Sequence, residues 1–561
     1  MWTSDRVRLD ADIYRPATDE KLPILLMRQP YGRSIASTVV YAHPHWYAAQ
    51  GYIVVIQDVR GRGTSEGKFD LFTHEVEDGF ETINWVSQLP NSTGEVGMYG
   101  FSYQGMTQLY AAVKQPAPLK AIAPAMIAYD LYSDWAYENG AFCLFANLAW
   151  AIQLAGETAR LQGDSAAFNK FYQAARNLPL NDAIPANPQL MQELAPDSFY
   201  HQWLNNPDPT ALYWRSLSPK YLLQNVDLPM LHVGGWYDPY LRGTLNLYKA
   251  MADTSKYSQQ LLIGAWGHLP WGRKLGAIDY GIEAQNPIDE IQIRWFDHFL
   301  KGKDTGLLNE APISLFCMGR NQWREFDHLP QNPRVYYLAS DGLAGIREDS
   351  GMLWEYQDSP QPLSPQELIA TDLEAAATEF DNCTDILVHD PWRPVPALGG
   401  HAFFPSGSFD RSSLDCRSDI LTYTSAPLTS ELDLVGEIIL EVYCSSEHPS
   451  FDLCAVVSCV NNQGEVFNFS QGYIRVANAS LQNPQLVKIP LQATCICIPQ
   501  GDSLRLSLSA ACFPAYPVNP GSGKQPYESR LLDMQIITLV IHSGADFPSK
   551  LTAISCHNQT H

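Results

Sequence analysis

The sequence has few basic residues, no long apolar run and no ordered cysteine pattern, and each absence excludes a class of protein. Its 37 Lys and Arg residues stand against 60 Asp and Glu residues in 561, so the net charge is −23. Nucleic acids and anionic membranes attract basic surfaces, and neither is expected as a partner. No run of about 18 consecutive apolar residues occurs, which excludes a transmembrane helix.

The N-terminus and the cysteines indicate the compartment. The opening residues, MWTSDRVRL, contain no basic segment that leads into an apolar stretch, so no secretory signal is predicted. The eleven cysteines include no C-x-x-C motif and no neighbouring histidine ligands, which fits neither a complete disulfide framework nor a zinc site. We therefore expect a reducing cytoplasm, with no metal and no organic cofactor.

The apolar runs that are present predict a mostly parallel sheet. Apolar residues make up 45% of the chain and charged residues 17%, which is typical of a globular protein. Short apolar runs alternate with helical stretches, and the runs that read as buried strands are 23–27, 52–56, 96–99, 229–233 and 260–264. Strands that alternate with helices favour a parallel sheet covered on both faces.

Two changes of pattern divide the chain. Residues 129–225 are rich in helix formers and aromatics, and they interrupt the α/β pattern as a cap domain does. From residue 309 onward, β-type runs are separated by polar turns, which favours a β-sandwich or jelly roll. We predict an α/β-hydrolase core at 1–128 and 226–308, a helical cap at 129–225 and a β-sandwich or jelly-roll domain at 309–561.

The strongest local motif surrounds Ser102 in the sequence GMYGFSYQGM. An apolar strand ends at Gly100, Ser102 follows at once, and a helix begins shortly after Gly105. A sharp turn between strand and helix is the setting in which a nucleophilic serine is exposed, and small residues allow the close backbone contacts around it. A serine in such a turn can alternatively be a helix N-cap.

Two further residues complete a possible triad in the chain order serine, acid, histidine. Asp238 follows the strand PMLHV in GGWYD, and His268 follows the strand QLLIG in GAWGH. Both therefore leave the sheet edge at which Ser102 lies. Alone, Asp238 reads as a turn residue and His268 as a buried imidazole, but their common edge and order favour a triad.

Two donors are predicted for an oxyanion hole. One is the backbone N–H of Tyr103, next to the serine, and the other is the side chain of Tyr31, in the turn after an early strand. Tyr31 can equally be a packed core residue. The glycine-rich segment QDVRGRGTSEG (57–67) does not match a dinucleotide fingerprint, and we interpret it as a structural loop that supports the active-site edge.

Five motifs occur in an order that resembles the cocaine esterase and X-Pro dipeptidyl-peptidase family of serine hydrolases: QDVRGRGTSEG, GMYGFSYQG, GGWYD, GAWGH and RWFDHFLKG. The resemblance covers nearly the whole chain. It implies an α/β-hydrolase core, an inserted helical cap and a C-terminal jelly roll. It also implies that Ser102, Asp238 and His268 form the triad, with Tyr31 and the Tyr103 amide holding the oxyanion.

The departures from the family pattern bear on the substrate. Relatives that cleave α-amino acid esters carry carboxylates just after the triad acid, where this chain has Pro239, Tyr240 and Leu241. Asp134 is then the remaining acid that could bind a substrate ammonium. The predicted aromatic lining of the pocket, each member of which can alternatively be cap core, is Trp135, Phe142, Trp150 and Trp236.

The sequence thus predicts a serine hydrolase that cleaves carboxylic esters, or amides, through an acyl-enzyme. The alternative enzyme is an X-Pro dipeptidyl-peptidase or an aminoacyl hydrolase (acylase). The alternative from another class is a catalytically silent protein whose jelly roll binds carbohydrate. The expected partner is a small-molecule ester or a short peptide, and the formation of homo-oligomers stays open.

Overall fold

The computed structural model describes residues 1–34, 36–355, 381–480 and 483–556. The strands of its N-terminal part are β1 (Ala11–Tyr14), β2 (Leu22–Gln29), β3 (Ile53–Asp58), β4 (Ser92–Phe101), β5 (Leu119–Ala125), β6 (Tyr137–Glu138), β7 (Ala141–Phe142), β8 (Met230–Tyr237), β9 (Gln259–Gly267), β10 (Lys274–Leu275), β11 (Ile278–Asp279), β12 (Ile313–Cys317) and β13 (Gln322–Phe326). Nine of them form one sheet in the order β1-β3-β2-β4-β5-β8-β9-β12-β13.

This sheet is parallel from β3 to β12 and antiparallel only at its two edges, β1 and β13. All five predicted strands lie within it. Strands β3, β8 and β9 are buried along their whole length, as expected where helices cover both faces. The carboxyl ends of β4, β8 and β9 lie at one edge, because neighbouring parallel strands end on the same side.

The helices are α1 (Pro44–Ala49), α2 (Glu75–Ser87), α3 (Tyr103–Ala112), α4 (Leu144–Leu161), α5 (Ser165–Arg176), α6 (Gln189–Leu194), α7 (Phe199–Leu204), α8 (Leu212–Leu217), α9 (Pro219–Leu222), α10 (Leu241–Thr254), α11 (Ile288–Lys301) and α12 (Ser412–Asp415). Helices α4 to α9 are inserted between β5 and β8 and form a cap. In the described part of the chain, no helix has both the length and the apolar character needed to span a membrane.

The C-terminal part is a β jelly-roll domain, as predicted. Its strands are β14 (Asn332–Ala339), β15 (Met352–Glu355), β16 (Cys383–His389), β17 (Ile420–Ser425), β18 (Leu432–Ser446), β19 (Ser450–Val460), β20 (Val466–Ala477), β21 (Gln485–Ile498), β22 (Ser503–Ser509), β23 (Ile537–Ser543) and β24 (Lys550–Ser555). All eleven belong to one hydrogen-bonded sheet, folded around its own apolar core.

The core sheet continues past the limit predicted for it. Strand β12 pairs in parallel with β9, and β13 pairs with β12, so the α/β sheet includes residues beyond 308, where the sequence analysis ended the core. The sequence assigns both strands to the jelly-roll domain, because the pattern of a strand does not determine which sheet it joins. Met318 links the two sheets: its N–H donates to the Cys495 carbonyl at 2.9 Å.

Candidate active site

Ser102 occupies a strained turn between β4 and α3. Its backbone has φ 59° and ψ −127°, a conformation that costs a non-glycine residue of order 1–3 kcal/mol. The flanking glycines allow this turn. A Cβ on Gly100 would lie 2.5 Å from the Cβ of Gln104, and one on Gly105 would lie 2.4 Å from Ile127 Cγ2. The predicted strand–turn–helix arrangement is therefore present.

Asp238 and His268 follow the adjacent strands β8 and β9 and contact one another. His268 Nδ1 lies 2.8 Å from Asp238 Oδ1. The Asp238 side chain is fully buried, whereas the His268 side chain is 29% exposed. Burial raises the pKa of Asp238, and the hydrogen bond from His268 acts in the opposite direction. The carboxylate can thus hold the ring so that Nε2 is the nitrogen left for a second partner.

The Tyr31 hydroxyl has a proton that it can donate to a group in the site. Trp150 donates its indole N–H to Tyr31 Oη at 3.1 Å. Because an indole nitrogen only donates, the Tyr31 oxygen accepts this bond and keeps its own proton for another partner. Burial raises the pKa of Tyr31 to about 12, against the effect of hydrogen bonding to Trp150 and Ser102, so the hydroxyl is protonated at neutral pH.

The backbone N–H of Tyr103 is available at the same turn. Tyr103 is the first residue of α3, and N–H groups in the first turn of a helix have no partner within it. Its side chain points elsewhere, since the phenol donates to Glu75 Oε1 at 2.8 Å. The turn therefore supplies a backbone donor beside Ser102, and Tyr31 supplies a side-chain donor.

Ser102, His268 and Tyr31 line one cavity of about 580 Å³. The core contributes the three named residues together with Phe101, Tyr237 and Tyr240. The cap and the jelly roll provide most of the remaining lining: Trp135, Phe145, Trp150 and Gln153 from the cap, and His401, Phe403, Phe404 and Ser406 from the jelly roll. None of the described lining residues is an Asp or a Glu.

Two of the predicted pocket aromatics, Trp135 and Trp150, line this cavity, and two do not. Phe142 is buried in the cap core, where its ring packs against Tyr137 and Tyr200. Trp236 is buried in an apolar cluster that includes Phe316 and Cys317, and its indole donates to the Phe316 carbonyl at 2.7 Å. The prediction was wrong for Phe142 and Trp236, because the presence of an aromatic residue in the sequence does not determine which way its side chain faces.

Asp134 also lies outside the cavity lining. Its carboxylate is buried and accepts hydrogen bonds from the backbone N–H groups of Tyr129, at 3.1 Å, and Asp130, at 2.7 Å. Burial raises its pKa, and these bonds act in the opposite direction. The carboxylate thus closes a backbone turn, and the prediction that it faces a substrate ammonium is wrong.

The jelly roll adds to the cavity a histidine, His401, that the sequence does not predict. His401 Nε2 lies 3.1 Å from Glu138 Oε2. Glu138 is buried and pairs with Arg242 at 3.0 Å, and the Tyr516 hydroxyl donates to it at 2.5 Å. Burial alone would raise the pKa of Glu138, but Arg242 and His401 outweigh it and hold the pKa well below its usual range. The motif GGHAFF contains no signal for such a contact, because its partner lies 263 residues away.

A second contact from the jelly roll supports the Asp238 loop. Gln492 on β21 donates its side-chain N–H to the Asp238 backbone carbonyl at 2.6 Å. This bond fixes the backbone of the loop and leaves the carboxylate free for His268. In the described residues, no group of three or more His, Cys, Asp and Glu side chains could hold a metal ion.

Comparison with known proteins is consistent along the whole chain. Residues 5–270 match the family model of the X-Pro dipeptidyl-peptidases (S15 family), and residues 306–552 match the model of the X-Pro dipeptidyl-peptidase C-terminal non-catalytic domain. A cocaine esterase from Rhodococcus sp. (strain MB1 Bresler) is 29% identical over 98% of this chain and 96% of its own length. The chain belongs to the cocaine esterase and X-Pro dipeptidyl-peptidase family.

Members of this family are serine hydrolases, and so is this protein. A catalytically silent carbohydrate-binding protein is not favoured. Solved structures support the fold. An aminopeptidase from the marine sediment archaeon Thaumarchaeota archaeon has a TM-score of 0.79 at 21% identity, and an α-amino acid ester hydrolase has 0.77 at 19% identity. Each covers 99% of this chain, and this chain covers 95% of each.

Proposed function

We propose that this serine hydrolase cleaves carboxylic esters and that Ser102, Asp238 and His268 are its triad. The observation that carries the proposal is geometric. A serine in a strained strand–helix turn shares a cavity with an imidazole that a buried carboxylate holds at 2.8 Å. That constellation activates a hydroxyl for acyl transfer.

The steps follow from these positions. Ser102 Oγ attacks the ester carbonyl carbon, and its proton passes to His268 Nε2. The carbonyl oxygen becomes an oxyanion, which accepts hydrogen bonds from Tyr31 and from the Tyr103 N–H. The tetrahedral intermediate then expels the alkoxide, which takes the proton from His268. A water molecule gives its proton to His268 and attacks the acyl-enzyme, which releases the carboxylic acid and regenerates Ser102.

The cavity favours esters with an uncharged, apolar acyl group. Its described lining combines tryptophan, tyrosine and phenylalanine rings with no carboxylate. A substrate with a free ammonium would lose its hydration there without gaining an ionic partner. This argues against aminopeptidase or acylase activity on free amino-terminal substrates, and for ester hydrolysis, the activity named in the cocaine esterase relative.

Covalent labelling tests the triad. A fluorophosphonate probe should label the wild-type protein and should fail to label Ser102→Ala, whose kcat should fall about 10⁴- to 10⁶-fold. Ser406→Ala is the matched control, because Ser406 lines the same cavity and should remain dispensable for labelling. Labelling of Ser102→Ala at the wild-type rate would contradict the assignment of the nucleophile.

Paired substrates test the ester preference. The protein should hydrolyse p-nitrophenyl butyrate with a kcat/KM at least 100-fold above that for the dipeptide anilide Ala-Pro-p-nitroanilide. Equal efficiency would favour the X-Pro dipeptidyl-peptidase alternative.

We also propose a reducing compartment such as the cytoplasm. This is supported by the cysteines, all eleven of which are free thiols.

A further inference from the structure

Two arginines of the segment QDVRGRGTSEG have opposite environments. Arg60 pairs with Asp78 at 2.6 Å and with Asp5 at 2.7 Å. Arg62 is 2% exposed, and no carboxylate among the described residues lies within 4.0 Å of its guanidinium nitrogens. The loop therefore buries one cation that is ion-paired and one that has no ion pair within this distance, on which Glu157 acts only from farther away.

The hydrogen bonds of Arg62 are also incomplete. Its Nη1 donates to the Leu154 carbonyl and to Thr158 Oγ1, both at 3.2 Å, and its guanidinium stacks 3.8 Å from the ring centre of Phe69. Nε is buried without a hydrogen-bond partner, and Nη2 makes no hydrogen bond to a described residue. A buried charge with free donors is costly unless an anion satisfies it. Burial lowers the pKa of Arg62 to about 10, so the side chain is still a cation at neutral pH.

Arg62 lines a cavity of about 680 Å³ between its own loop and the cap helices α4, α5 and α7. We call this space the Arg62 cavity. It shares no lining residue with the active-site cavity. Its volume falls within the range of small-molecule sites, and Arg62 is the one arginine among its lining residues.

The other lining residues restrict the charge and shape of a ligand. Apolar walls come from Leu71, Leu154, Ala159, Leu194 and Phe199, whereas the acids Asp70, Asp164 and Asp197 also line the cavity. These acids repel a multiply charged anion such as phosphate more strongly than a singly charged one. A ligand with one negative charge and an apolar body fits both features.

We propose that the Arg62 cavity binds a small organic monocarboxylate whose carboxylate group pairs with Arg62. Since Nη1 already donates to Leu154 and Thr158 and Nε is shielded from the cavity, Nη2 is the nitrogen that would donate to a carboxylate oxygen in a charge-assisted hydrogen bond, and the apolar walls would cover the remainder of the molecule. The proposal concerns equilibrium binding and does not depend on the reaction proposed for Ser102.

Calorimetric titration with hexanoate tests this site. Arg62→Met keeps an unbranched apolar side chain and removes the charge, and it should weaken hexanoate binding at least tenfold. Lys68→Met is the matched control, because Lys68 also lines the cavity but is 80% exposed and pairs with Asp197. It should change the affinity less than threefold. Hexanol, which lacks the charge, should bind at least tenfold more weakly than hexanoate to the wild type.

Two further variants separate ligand binding from a purely structural role of Arg62. Arg62→Lys keeps the charge and should bind hexanoate more tightly than Arg62→Met. Ala155→Phe leaves Arg62 in place but fills part of the cavity that Ala155 lines, and it should also weaken binding at least tenfold. If both Arg62→Met and Ala155→Phe bind hexanoate as the wild type does, or if the wild type does not bind it, the proposal is wrong.

Discussion

The two outer walls of the active-site cavity are built by different physical means. The cap wall consists of Trp135, Phe145 and Trp150, and the jelly-roll wall consists of His401, Phe403 and Phe404. In the cap wall, Trp135 and Trp150 pack with ring centres 5.2 Å apart within the apolar cap core. In the jelly-roll wall, His401 is held by the buried charge of Glu138, whereas Phe404 is 62% exposed.

This difference determines what each wall is sensitive to. Apolar packing depends on volume and is insensitive to charge, so the cap wall should respond to changes in side-chain size. A buried ion pair depends on the presence of both partners, so the jelly-roll wall should respond to the removal of one charge. The variants below test that contrast, beginning with the largest expected effect.

Glu138→Gln should be the most destabilising variant. The amide has the shape of the carboxylate but leaves Arg242 without its buried counter-ion, a loss of about 3–5 kcal/mol in the free energy of unfolding. The control is Glu437→Gln. Glu437 pairs with Lys249, another residue of α10, but it is 52% exposed, and its loss should cost about 0–1 kcal/mol. Equal shifts in melting temperature would contradict the contrast.

The depressed pKa of Glu138 gives this contribution a pH dependence of known sign. The folded state favours the ionised carboxylate more than the unfolded state does. The stabilisation is therefore complete above the unfolded glutamate value of about 4.3 and is lost as the pH falls below it towards the lower folded value. The gap in melting temperature between wild type and Glu138→Gln should shrink as the pH falls below about 4.3.

Tyr31→Phe should damage turnover more than any substitution in either wall. The hydroxyl acts on charge that develops in the transition state, so its loss should lower kcat by about 10²- to 10³-fold, or roughly 3–4 kcal/mol. The ring remains, and KM should change little. Steady-state kinetics on p-nitrophenyl butyrate measure both constants. A kcat within a few-fold of the wild type in a stably folded variant would remove Tyr31 from the oxyanion hole.

The parts of this site that the sequence predicted are those fixed by local pattern. Ser102, Asp238 and His268 could be placed on one edge because each follows an apolar run, and parallel strands end on the same side of a sheet. The contact of His401 with Glu138 depends on the docking of two domains, which no local pattern encodes. Trp236 is wrongly predicted for another reason: two aromatic residues stand side by side in GGWYD, and the motif does not determine that Trp236 donates to the Phe316 carbonyl while Tyr237 lines the cavity.

Phe404→Ala tests how much the apolar part of the jelly-roll wall contributes to substrate binding, because it removes a ring and changes no charge. Because Phe404 is 62% exposed, it can bury only part of its ring against a substrate, so the loss in kcat/KM should be about fivefold, or about 1 kcal/mol. The loss should appear in KM and not in kcat. Ile346→Ala is the control, since Ile346 is 78% exposed and does not line the cavity. A large fall in kcat would instead place Phe404 close to the reacting atoms.

Trp150→Phe should have the smallest effect and tests whether the cap wall does more than provide volume. The substitution retains an aromatic ring but removes the N–H that donates to Tyr31 Oη at 3.1 Å. Without that bond the Tyr31 hydroxyl is still present but less well oriented, so kcat should fall about two- to threefold, near the lower limit for a neutral hydrogen bond of roughly 0.5 kcal/mol.

Trp203→Phe provides the matched control for this small effect. Trp203 makes the same type of bond, from its indole N–H to the Tyr213 hydroxyl, also at 3.1 Å, and it lies in the cap core away from the cavity lining. Both variants should lower the melting temperature, because each loses one hydrogen bond and some ring volume. Only Trp150→Phe should also lower kcat, and it should do so only while Tyr31 is present. In the Tyr31→Phe background there is no hydroxyl left to orient, so a further fall in kcat on adding Trp150→Phe would show that Trp150 acts through packing alone.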